Sequence, residues 1–354
     1  MAKSFLASLR LQSFRSYLDG SFEFSSGVNI IVGPNASGKT NLLEAILMIA
    51  SGSTYRGRDQ LVVRFGSDWA RLDGLLTNGA ERTLKLEVVA SDTLQKSLII
   101  DGKPHKRFSA PQMMPVVLFE PNHLSLIAGE PAERREYLDS FAASLDTTLH
   151  DTLKRYRRIL FQRNRLLKTN ASQSQFFVWD VQLVELAEKI VAARAELIRS
   201  INKKITSTYK QLGGKANKIE LSYTTKIAYD QSYGSKLLAR LKSKHTLELE
   251  TGFTVSGPHR DDFVVLFEGV DARERASRGE VRSLLLALKI IELEMSSKTQ
   301  SPILLLDDVF SELDGRRRKA LAERLKNYQT FITTTDADVV IEHFQEGATI
   351  IAIG

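Results

Sequence analysis

The chain has 354 residues, with 49 Lys and Arg against 42 Asp and Glu, and it contains no cysteine. A chain of this length predicts two domains, or one large fold with an insertion, and it can bury most of its apolar surface without cross-links. The missing cysteines exclude a disulfide scaffold, an iron–sulfur cluster, a thiolate zinc site and a cysteine nucleophile. The net charge of +7 favours a polyanionic partner such as nucleic acid.

Targeting and membrane signals are absent from the sequence. The N-terminal residues lack the apolar core of a signal peptide, and no apolar run approaches the roughly 18 residues that span a bilayer. We therefore expect a cytoplasmic protein with no membrane partner.

The first 120 residues are predicted to form strands with one helix among them. Val28–Val32 is a continuous apolar run, typical of a strand that is buried on both faces of a parallel sheet. Lys39–Ser51 has the apolar spacing of a helix. The other strands are predicted at Phe5–Leu11, Phe22–Phe24, Leu72–Leu76, Leu84–Val89, Leu98–Ile100 and Val116–Phe119.

The composition changes after Pro131. From there to Asn217 the sequence contains no proline, and its apolar residues recur every three or four positions, which predicts a helical insertion. Beyond it the pattern predicts strands and helices again: strands at Ile219–Tyr223, Leu247–Val255, Asp262–Phe267, Ile303–Leu306 and Phe331–Thr335, and helices at Glu280–Ser296 and Gly315–Tyr328. The predicted fold is α/β, with one part divided between residues 1–130 and 218–354 and a helical insertion, the arm, at 131–217.

A phosphate-binding loop follows the first buried strand. The pattern G-x-x-x-x-G-K-[ST] is met by Gly33, Pro34, Asn35, Ala36, Ser37, Gly38, Lys39 and Thr40. Glycines let backbone N–H groups face one anion, and the following helix adds its positive dipole end. Lys39 would reach the β- and γ-phosphates of ATP, and the Thr40 hydroxyl would ligate Mg²⁺. The alternative is an ordinary glycine-rich turn, but the strand before the loop and the helix after it favour a nucleotide site.

A second motif places two carboxylates at the end of a buried strand. Asp307 and Asp308 follow the apolar run Ile303–Leu306. Asp307 suits a Mg²⁺ contact, and Asp308 is placed to orient or deprotonate an attacking water. Each carboxylate alone could cap a helix, but together with the phosphate loop they predict a nucleoside triphosphatase in which Lys39, Asp307 and Asp308 are catalytic.

The helix predicted at Glu280–Ser296 is preceded by a second possible phosphate cradle. Ser277 and Gly279 precede its apolar stripe, so a hydroxyl, glycine N–H groups and a helix dipole would meet there. One chain cannot easily use both cradles on one nucleotide, so the pattern indicates two copies that sandwich ATP. It resembles the signature motif of ABC-type ATPases, and Ser311–Asp314 resembles their D-loop. Residues 1–130 and 218–354 are therefore predicted to form an ABC-type P-loop ATPase head, into which the helical arm is inserted.

The motif spacing separates the branches of this class. Gly33 and Ser277 are 244 residues apart, whereas ATPase subunits of transporters place the two motifs much closer together. The long helical insertion resembles the chromosome-maintenance and DNA-repair branch. It is too short for the coiled-coil arms of the SMC type, and without cysteine it cannot carry a zinc hook.

Within that branch the sequence resembles the RecF family of bacterial DNA replication and repair proteins. The matching stretches run through Asn41–Ile46, Phe119–Pro131, Arg134–Asp139, Phe161–Lys168, Ser256–Asp262 and Leu305–Asp314. The resemblance implies an ATP-dependent homodimer that uses Mg²⁺, binds DNA in recombinational repair, and has RecR and RecO as partners in loading recombinase on single-stranded DNA beside a duplex. It implies hydrolysis as the release step, and a site-shaping role for His259.

The chain departs from this pattern in two places. Glu280 stands where glutamine is expected, and a carboxylate pointing at a γ-phosphate would repel it. The glutamine of the Q-loop has no clear counterpart. Arg15 resembles an arginine that related ATPases aim at the nucleotide, and Arg56 is placed to do the same, although each could equally be a surface cation.

A cationic stripe on the arm is the predicted DNA contact. Seven Lys and Arg residues lie between positions 154 and 168 with no acid among them. At about 100° per residue, five of them share an arc of roughly 100° on one side of a helix: Lys154, Arg157, Arg158, Arg165 and Lys168. The alternative is a solvated helix face, but the self-repulsion of an uncompensated stripe favours phosphate contact, which would be salt-sensitive and weakly sequence-specific.

The role of a second cationic cluster is undecided. Arg316–Lys319 would oppose the dipole of its own helix unless Glu323, a partner subunit or DNA compensates it.

Three rival functions are considered. A transporter ATPase subunit is disfavoured by the motif spacing. A nuclease-linked ATPase would need a further domain, for which no stretch is unassigned. The third is another SMC-like or purely structural chromosome-binding protein.

Overall fold

The structure is a computed structural model that describes residues 4–55, 59–89, 93–106, 108–109, 112–120, 125–169, 171–216, 218–297, 301–344 and 347–354. Its N-terminal part contains strands β1 (Leu6–Phe14), β2 (Tyr17–Glu23) and β3 (Val28–Val32), helix α1 (Lys39–Ser51), and strands β4 (Trp69–Leu76), β5 (Glu81–Val89), β6 (Thr93–Ile100), β7 (Lys103–His105) and β8 (Val116–Phe119).

Helices dominate the middle of the chain. They are α2 (Ser125–Ala128), α3 (Pro131–Leu145), α4 (Thr147–Leu167), α5 (Gln173–Asn202) and α6 (Ile205–Gln211). Strand β9 (Ile219–Thr224), helices α7 (Tyr233–Ser243) and α8 (His245–Thr251), strands β10 (Asp262–Phe267) and β11 (Val270–Asp271), and helices α9 (Ala272–Arg275) and α10 (Arg278–Ser296) follow. The C-terminal part contains β12 (Ile303–Asp307), α11 (Gly315–Leu325), β13 (Thr330–Thr334), α12 (Ala337–Ile341) and β14 (Ala348–Ala352).

The chain divides into two compact units, one of residues 1–122 and 292–354 and the other of residues 123–291. The second unit contains the helices predicted over 131–217 and continues through β9, β10 and β11. None of the helices in the described part of the chain combines the length and the apolar character that a bilayer-spanning segment requires.

The first unit contains a parallel and an antiparallel sheet with helix α1 in their common core. The parallel sheet has the order β14-β3-β13-β12-β8, and the antiparallel sheet has the order β2-β1-β4-β5-β6-β7. Helix α1 contributes Leu42, Leu43 and Ile46 to a core that also contains residues of both sheets. Since β3 and β12 run parallel, their carboxyl ends lie at the same edge of the sheet. The phosphate loop follows the end of β3 at this edge, and Asp307 is the last residue of β12.

The second unit is built on packed helices. Helix α4 has an amphipathic sequence whose apolar side, including Leu149, Leu153 and Ile159, is buried. It packs against the 30-residue helix α5, which is about 45 Å long at 1.5 Å per residue. A reciprocal capping box between Ser172 and Gln175 starts α5. The sheet β11-β10-β9 lies in the same unit.

One predicted strand is wrong, and several elements were not predicted. Leu247–Val255 was expected to be a strand, but the structure has helix α8, which ends at Gly252 in the left-handed region, with φ 72°. Within this helix Leu247 is exposed, whereas Glu248 is buried against Arg163. Helix α7 and strands β7, β11 and β14 had no sequence pattern strong enough to predict them.

Candidate functional site

The phosphate loop joins β3 to α1 and has the backbone that its glycines predict. Gly38 has φ 105°, and a Cβ there would lie 2.8 Å from Ser16 Oγ. A Cβ on Gly33 would lie 2.3 Å from the carbonyl oxygen of Ile353 and 2.6 Å from Ser37 Oγ. Any side chain at either position would therefore fill or distort the loop. Both glycines are required by close approach and not only by chain flexibility.

Two polar groups in this loop fit an anionic ligand. Lys39 is buried, and its Nζ donates to the carbonyl oxygens of Gly33 and Pro34 at 2.7 and 2.8 Å, without an ion pair to any described carboxylate. The Ser37 hydroxyl is buried and has no hydrogen-bond partner among the described residues. A buried cation and an orphaned hydroxyl in one loop, at the N-terminus of a helix, match the chemistry of a bound phosphate group.

The predicted Mg²⁺ contacts lie side by side. The Thr40 hydroxyl donates to Asp307 Oδ1 at 2.9 Å, although the two residues are 267 positions apart. Thr333 of β13 donates to the same carboxylate oxygen at 2.8 Å and so fixes its orientation. The described residues hold no group of three or more His, Asp or Glu arranged for a metal. One hydroxyl and one carboxylate suit Mg²⁺, which takes its remaining ligands from water and nucleotide phosphates.

Asp308 is exposed and has a strained backbone. Its φ of 52° is in the left-handed region, which non-glycine residues rarely adopt. The Asp308 N–H donates to Thr333 Oγ1 at 2.9 Å, and Ser311 donates to the Asp308 carboxylate at 2.9 Å. Thr333 therefore positions both carboxylate residues. Sequence reasoning missed it, and its only signal was a hydroxyl residue within the predicted strand Phe331–Thr335.

The residues around Arg15 form a support for the loop that the sequence did not predict. The Arg15 guanidinium makes a bidentate ion pair with the buried Glu44 of α1, at 2.7 and 2.8 Å. Tyr17 donates its hydroxyl to the Gly38 carbonyl oxygen at 3.1 Å, and burial raises the pKa of Tyr17 to about 12, so it remains a donor at neutral pH. Arg15 thus engages helix α1 in this structure. Arg56, its predicted counterpart, lies outside the described residues.

The second cradle is closed by Glu280. Ser277 donates its hydroxyl to Glu280 Oε2 at 2.7 Å and its N–H to the same oxygen at 2.8 Å. The Glu280 N–H donates back to Ser277 Oγ at 3.3 Å, which completes a capping box at the start of α10. The residue that departs from the expected glutamine therefore occupies the donors of Ser277 that a phosphate would use.

The cluster at Arg316–Lys319 has a compensating carboxylate. Asp314 is the N-cap of α11, where it accepts from the Arg317 N–H at 2.9 Å and from the Arg317 guanidinium at 2.6 Å. A carboxylate at a helix N-terminus opposes the cations that follow it. The expected D-loop residue Asp314 therefore also caps its helix and pairs with one of the four cations of this cluster.

All five residues of the predicted DNA-binding stripe are exposed, four on α4 and the fifth, Lys168, at its C-cap. The stripe consists of Lys154, Arg157, Arg158, Arg165 and Lys168. Lys168 Nζ lies 4.7 Å from the centre of the Phe253 ring. Arg163, which contributes to the cationic count of this segment, is instead fully buried and forms ion pairs with Asp180 at 2.6 Å and Glu248 at 2.7 Å. The structure thus separates the surface cations of α4 from the one that holds the unit together.

The segment Ser256–Asp262 belongs to a buried network of charges in the second unit. Arg194 of α5 makes a bidentate pair with Asp139 of α3 and donates to the Pro258 carbonyl oxygen at 2.7 Å. Arg134 makes a bidentate pair with Asp262, both contacts at 2.8 Å. These pairs join residues that are 55 and 128 positions apart, so the motif Ser-Gly-Pro-His-Arg-Asp-Asp fixes a turn against three helices.

His259 is held neutral within this network. Its Nε2 lies 3.0 Å from the Thr254 carbonyl oxygen, so this nitrogen carries the hydrogen, and Nδ1 accepts from the Tyr156 hydroxyl at 2.7 Å. Burial lowers the pKa of His259 to about 4. Gly257 has φ 126°, and a Cβ there would lie 2.8 Å from the Tyr156 hydroxyl oxygen. The contacts of His259 are therefore structural and leave neither ring nitrogen free for a metal.

Comparison with known proteins identifies the family. Residues 5–352 match the RecF/RecN/SMC N-terminal domain family. The DNA replication and repair protein RecF of Moorella thermoacetica is 36% identical over 344 residues, which cover 95% of this chain and 91% of that protein. The chain belongs to the RecF family. The RecF protein of Agathobacter rectalis is 33% identical, over 96% of this chain and 94% of its own length.

Solved structures agree with this assignment. A recombination mediator protein RecF bound to ATP, of the RecFOR pathway, superposes with a TM-score of 0.87 at 29% identity and covers 99% of this chain and 97% of that chain. An SMC head bound to the winged-helix domain of ScpA superposes with a TM-score of 0.58 at 16% identity, and shows the fold alone. The predicted α/β P-loop ATPase fold is confirmed, and membership of the RecF family places the chain among the ATPases of this class.

Proposed function

We propose that this chain is an ATP-dependent DNA-binding protein of bacterial DNA replication and recombinational repair. The observation that carries the proposal is the loop Gly33–Thr40, where the buried Lys39 and the Ser37 hydroxyl, which has no hydrogen-bond partner among the described residues, lie beside the Thr40–Asp307 pair. ATP binds there through residues 33–40, and Thr40 and Asp307 hold Mg²⁺. The metal would neutralise charge on the phosphates, and Lys39 would stabilise the charge that develops at the γ-phosphate.

Hydrolysis is assigned to the carboxylate that follows the metal ligand. Asp308 orients or deprotonates the attacking water, a role that its exposure and its fixed orientation by Thr333 and Ser311 support. Ser277 and Gly279 of a second copy complete the site, so ATP binding forms a homodimer. Because Glu280 occupies the donors of Ser277, a γ-phosphate has to displace a carboxylate, and we propose that the ATPase is weak and is stimulated by DNA.

DNA lies on the stripe of five exposed cations of α4 in the arm, residues 131–217. ATP-bound dimers hold single-stranded and duplex or gapped DNA, and hydrolysis releases it, so the two nucleotide states differ in DNA affinity. With RecR and RecO as partners, the protein helps to load recombinase on single-stranded DNA beside a duplex. This role is supported by membership of the RecF family, whose relatives carry the name DNA replication and repair protein.

The experiment that tests this proposal removes the cation of the phosphate loop. Lys39→Ala is expected to lower ATP affinity by at least 100-fold, because a charge-assisted contact to the phosphates is lost. Lys103→Ala, at an exposed lysine of the same unit, is the matched control and is expected to bind ATP normally. Equilibrium dialysis with labelled ATP measures both. If folded Lys39→Ala binds ATP as the wild-type chain does, the proposed nucleotide site is contradicted.

A further inference from the structure

The second unit contains a cavity of about 330 Å³ beside the cationic stripe. Its walls come from helices α3, α4 and α5 and from the turn at Pro258 and His259. This volume is at the lower end of the range of small-molecule sites, which is about 300–1,000 Å³. None of the residues assigned to ATP lines it, and Arg157 is the stripe residue that does.

Part of the cavity lining is apolar or neutral. Leu153 and Leu160 of α4 and Ile190 of α5 belong to this part, together with Tyr156 and His259. The Tyr156 hydroxyl and both ring nitrogens of His259 have their hydrogen-bond partners within the protein. Burial keeps the pKa of His259 low and raises that of Tyr156 well above its usual value, so both rings are neutral at physiological pH. This part of the lining therefore suits a flat, uncharged group.

The charged groups of the lining favour an anion. The lining contains the guanidinium groups of Arg135, Arg157 and Arg194 and the carboxylates of Asp139 and Glu136. Asp139 and Arg194 neutralise each other in a bidentate pair, at 2.8 and 3.0 Å, which leaves Arg135 and Arg157 against the exposed Glu136. The Arg135 guanidinium donates to the Asp261 carbonyl oxygen, a neutral group, at 3.0 Å. An apolar part of the lining with an excess of guanidinium groups beside it matches a ligand with an aromatic body and a phosphate.

Helix α4 connects the cavity to the stripe. Leu153, Tyr156, Arg157 and Leu160 have the spacing i, i+3, i+4 and i+7, so one face of the helix forms this wall. Arg157 is exposed and belongs to both the wall and the stripe. We propose that the cavity receives one unpaired nucleotide of single-stranded DNA, with its base inside and its neighbouring phosphates on the stripe. This inference rests on the proposed contact of α4 with DNA and adds a preference for unpaired bases.

The test compares strands with and without bases. A thymidine oligonucleotide and a strand of equal length with the same sugar–phosphate backbone but no bases present equal charge to the stripe. The wild-type chain is expected to bind the thymidine strand about tenfold more tightly, as a buried base contributes in other single-strand sites. Ala132→Phe, which fills the cavity from an exposed position of its lining, is expected to remove this preference and to leave duplex affinity unchanged.

Matched variants separate the cavity from the stripe. Ala228→Phe, at an exposed residue outside the lining, is expected to keep the tenfold preference. Arg157→Ala is expected to weaken the preference for bases, whereas Arg158→Ala, which removes a stripe cation that does not line the cavity, lowers binding of both strands alike. Equal affinity of the wild-type chain for the two strands, or an unchanged preference in Ala132→Phe, would overturn the proposal.

A mononucleotide separates this proposal from the proposed function. Thymidine monophosphate at millimolar concentration is expected to shift NMR signals of residues in the cavity, and these shifts should disappear in Ala132→Phe. If the mononucleotide binds while no DNA binds the stripe, the proposed function fails and the cavity assignment stands. If DNA binds in a salt-dependent way but the mononucleotide leaves the cavity unchanged, the cavity assignment fails alone. The proposal would also be overturned if an acidic peptide displaced DNA from the protein while thymidine monophosphate had no effect on the NMR signals of the cavity residues.

Discussion

The two units use charge in opposite ways. In the phosphate loop, Lys39 contacts only backbone carbonyl oxygens among the described residues, and the Ser37 hydroxyl has no partner there. In the second unit, the buried Arg194 and Arg134 each face a carboxylate in a bidentate pair. A buried polar group without a partner is costly, so the first arrangement favours a ligand. Removing one partner of a buried ion pair leaves an uncompensated charge, so the second arrangement depends on both partners for the stability of the fold.

Burial alone does not distinguish functional charges from structural ones. Lys39 and Arg163 are both buried cations on helices, but Arg163 is paired with Asp180 and Glu248. What differs is whether the protein supplies the counter-charge. The comparison predicts that substitutions in the first unit alter activity more than stability, and that substitutions in the second unit's network do the reverse.

Asp308→Asn should have the largest effect. The substitution keeps the size of the side chain but removes the carboxylate that we propose orients the attacking water, so ATP turnover is expected to fall by about 100-fold or more. ATP binding and thermal stability should change little. Single-turnover hydrolysis beside ATP binding measures the difference, with Ser311→Ala as a milder variant that removes one hydrogen bond to Asp308. Unchanged turnover would favour a static DNA-binding protein over a switch.

His259→Gln tests whether the network of the second unit is structural. The folded pKa of about 4 lies below the ordinary 6.5, so the unfolded chain binds more protons between these values and stability falls as the pH drops through this window. Between pH 7 and pH 5 the wild-type chain should lose about 2 kcal/mol of unfolding free energy through this group, as an upper limit at 1.36 kcal/mol per pKa unit.

The His259→Gln variant lacks this titration, so its stability should depend less on pH. Denaturant unfolding at the two pH values checks this, and His150→Gln, at an exposed histidine, should behave as the wild-type chain does. An equal pH dependence in His259→Gln would show that His259 is not held neutral by the fold.

Arg158→Ala should have the smallest effect, a few-fold loss of DNA affinity at moderate salt. If Arg158 contacts one phosphate, the slope of log K against log salt concentration should become less steep by about 0.9. Arg199→Ala is the matched control on α5, since Arg199 is exposed and pairs with Glu196. Fluorescence anisotropy over a salt series gives both slopes. The same slope for both variants would remove Arg158 from the interface.

The geometry of the proposed nucleotide site could be predicted because most of its parts are close together in the sequence. Residues 33–40 are contiguous, and the pairing of Thr40 with Asp307 follows from two parallel strands that end at one edge of a sheet. Thr333 was missed because a threonine in a buried strand looks like any β-branched residue until its hydroxyl partner is known. The strand order that places β13, with Thr333, between β3 and β12 cannot be predicted from the spacing of the motifs.

The charge network could not be predicted for the opposite reason. Arg194 and Asp139 are 55 positions apart, and in sequence each resembles a surface residue of an amphipathic helix. Glu248 was predicted to lie in a strand, but it belongs to helix α8, where it is buried in an ion pair with Arg163 on another helix. Ion pairs between residues far apart in the sequence leave no periodic pattern. Composition and spacing therefore indicated only the exposed cations of the stripe and not the buried ion pairs.

The most direct test of the account is sedimentation velocity of the wild-type chain and Lys39→Ala with ATP, with and without gapped DNA, at two salt concentrations. We expect the wild-type chain to form a dimer with ATP and a DNA complex that weakens as salt rises. Lys39→Ala is expected to remain a monomer with reduced DNA binding. Dimerisation of Lys39→Ala with ATP, or DNA binding of the wild-type chain that is independent of both ATP and salt, would contradict it.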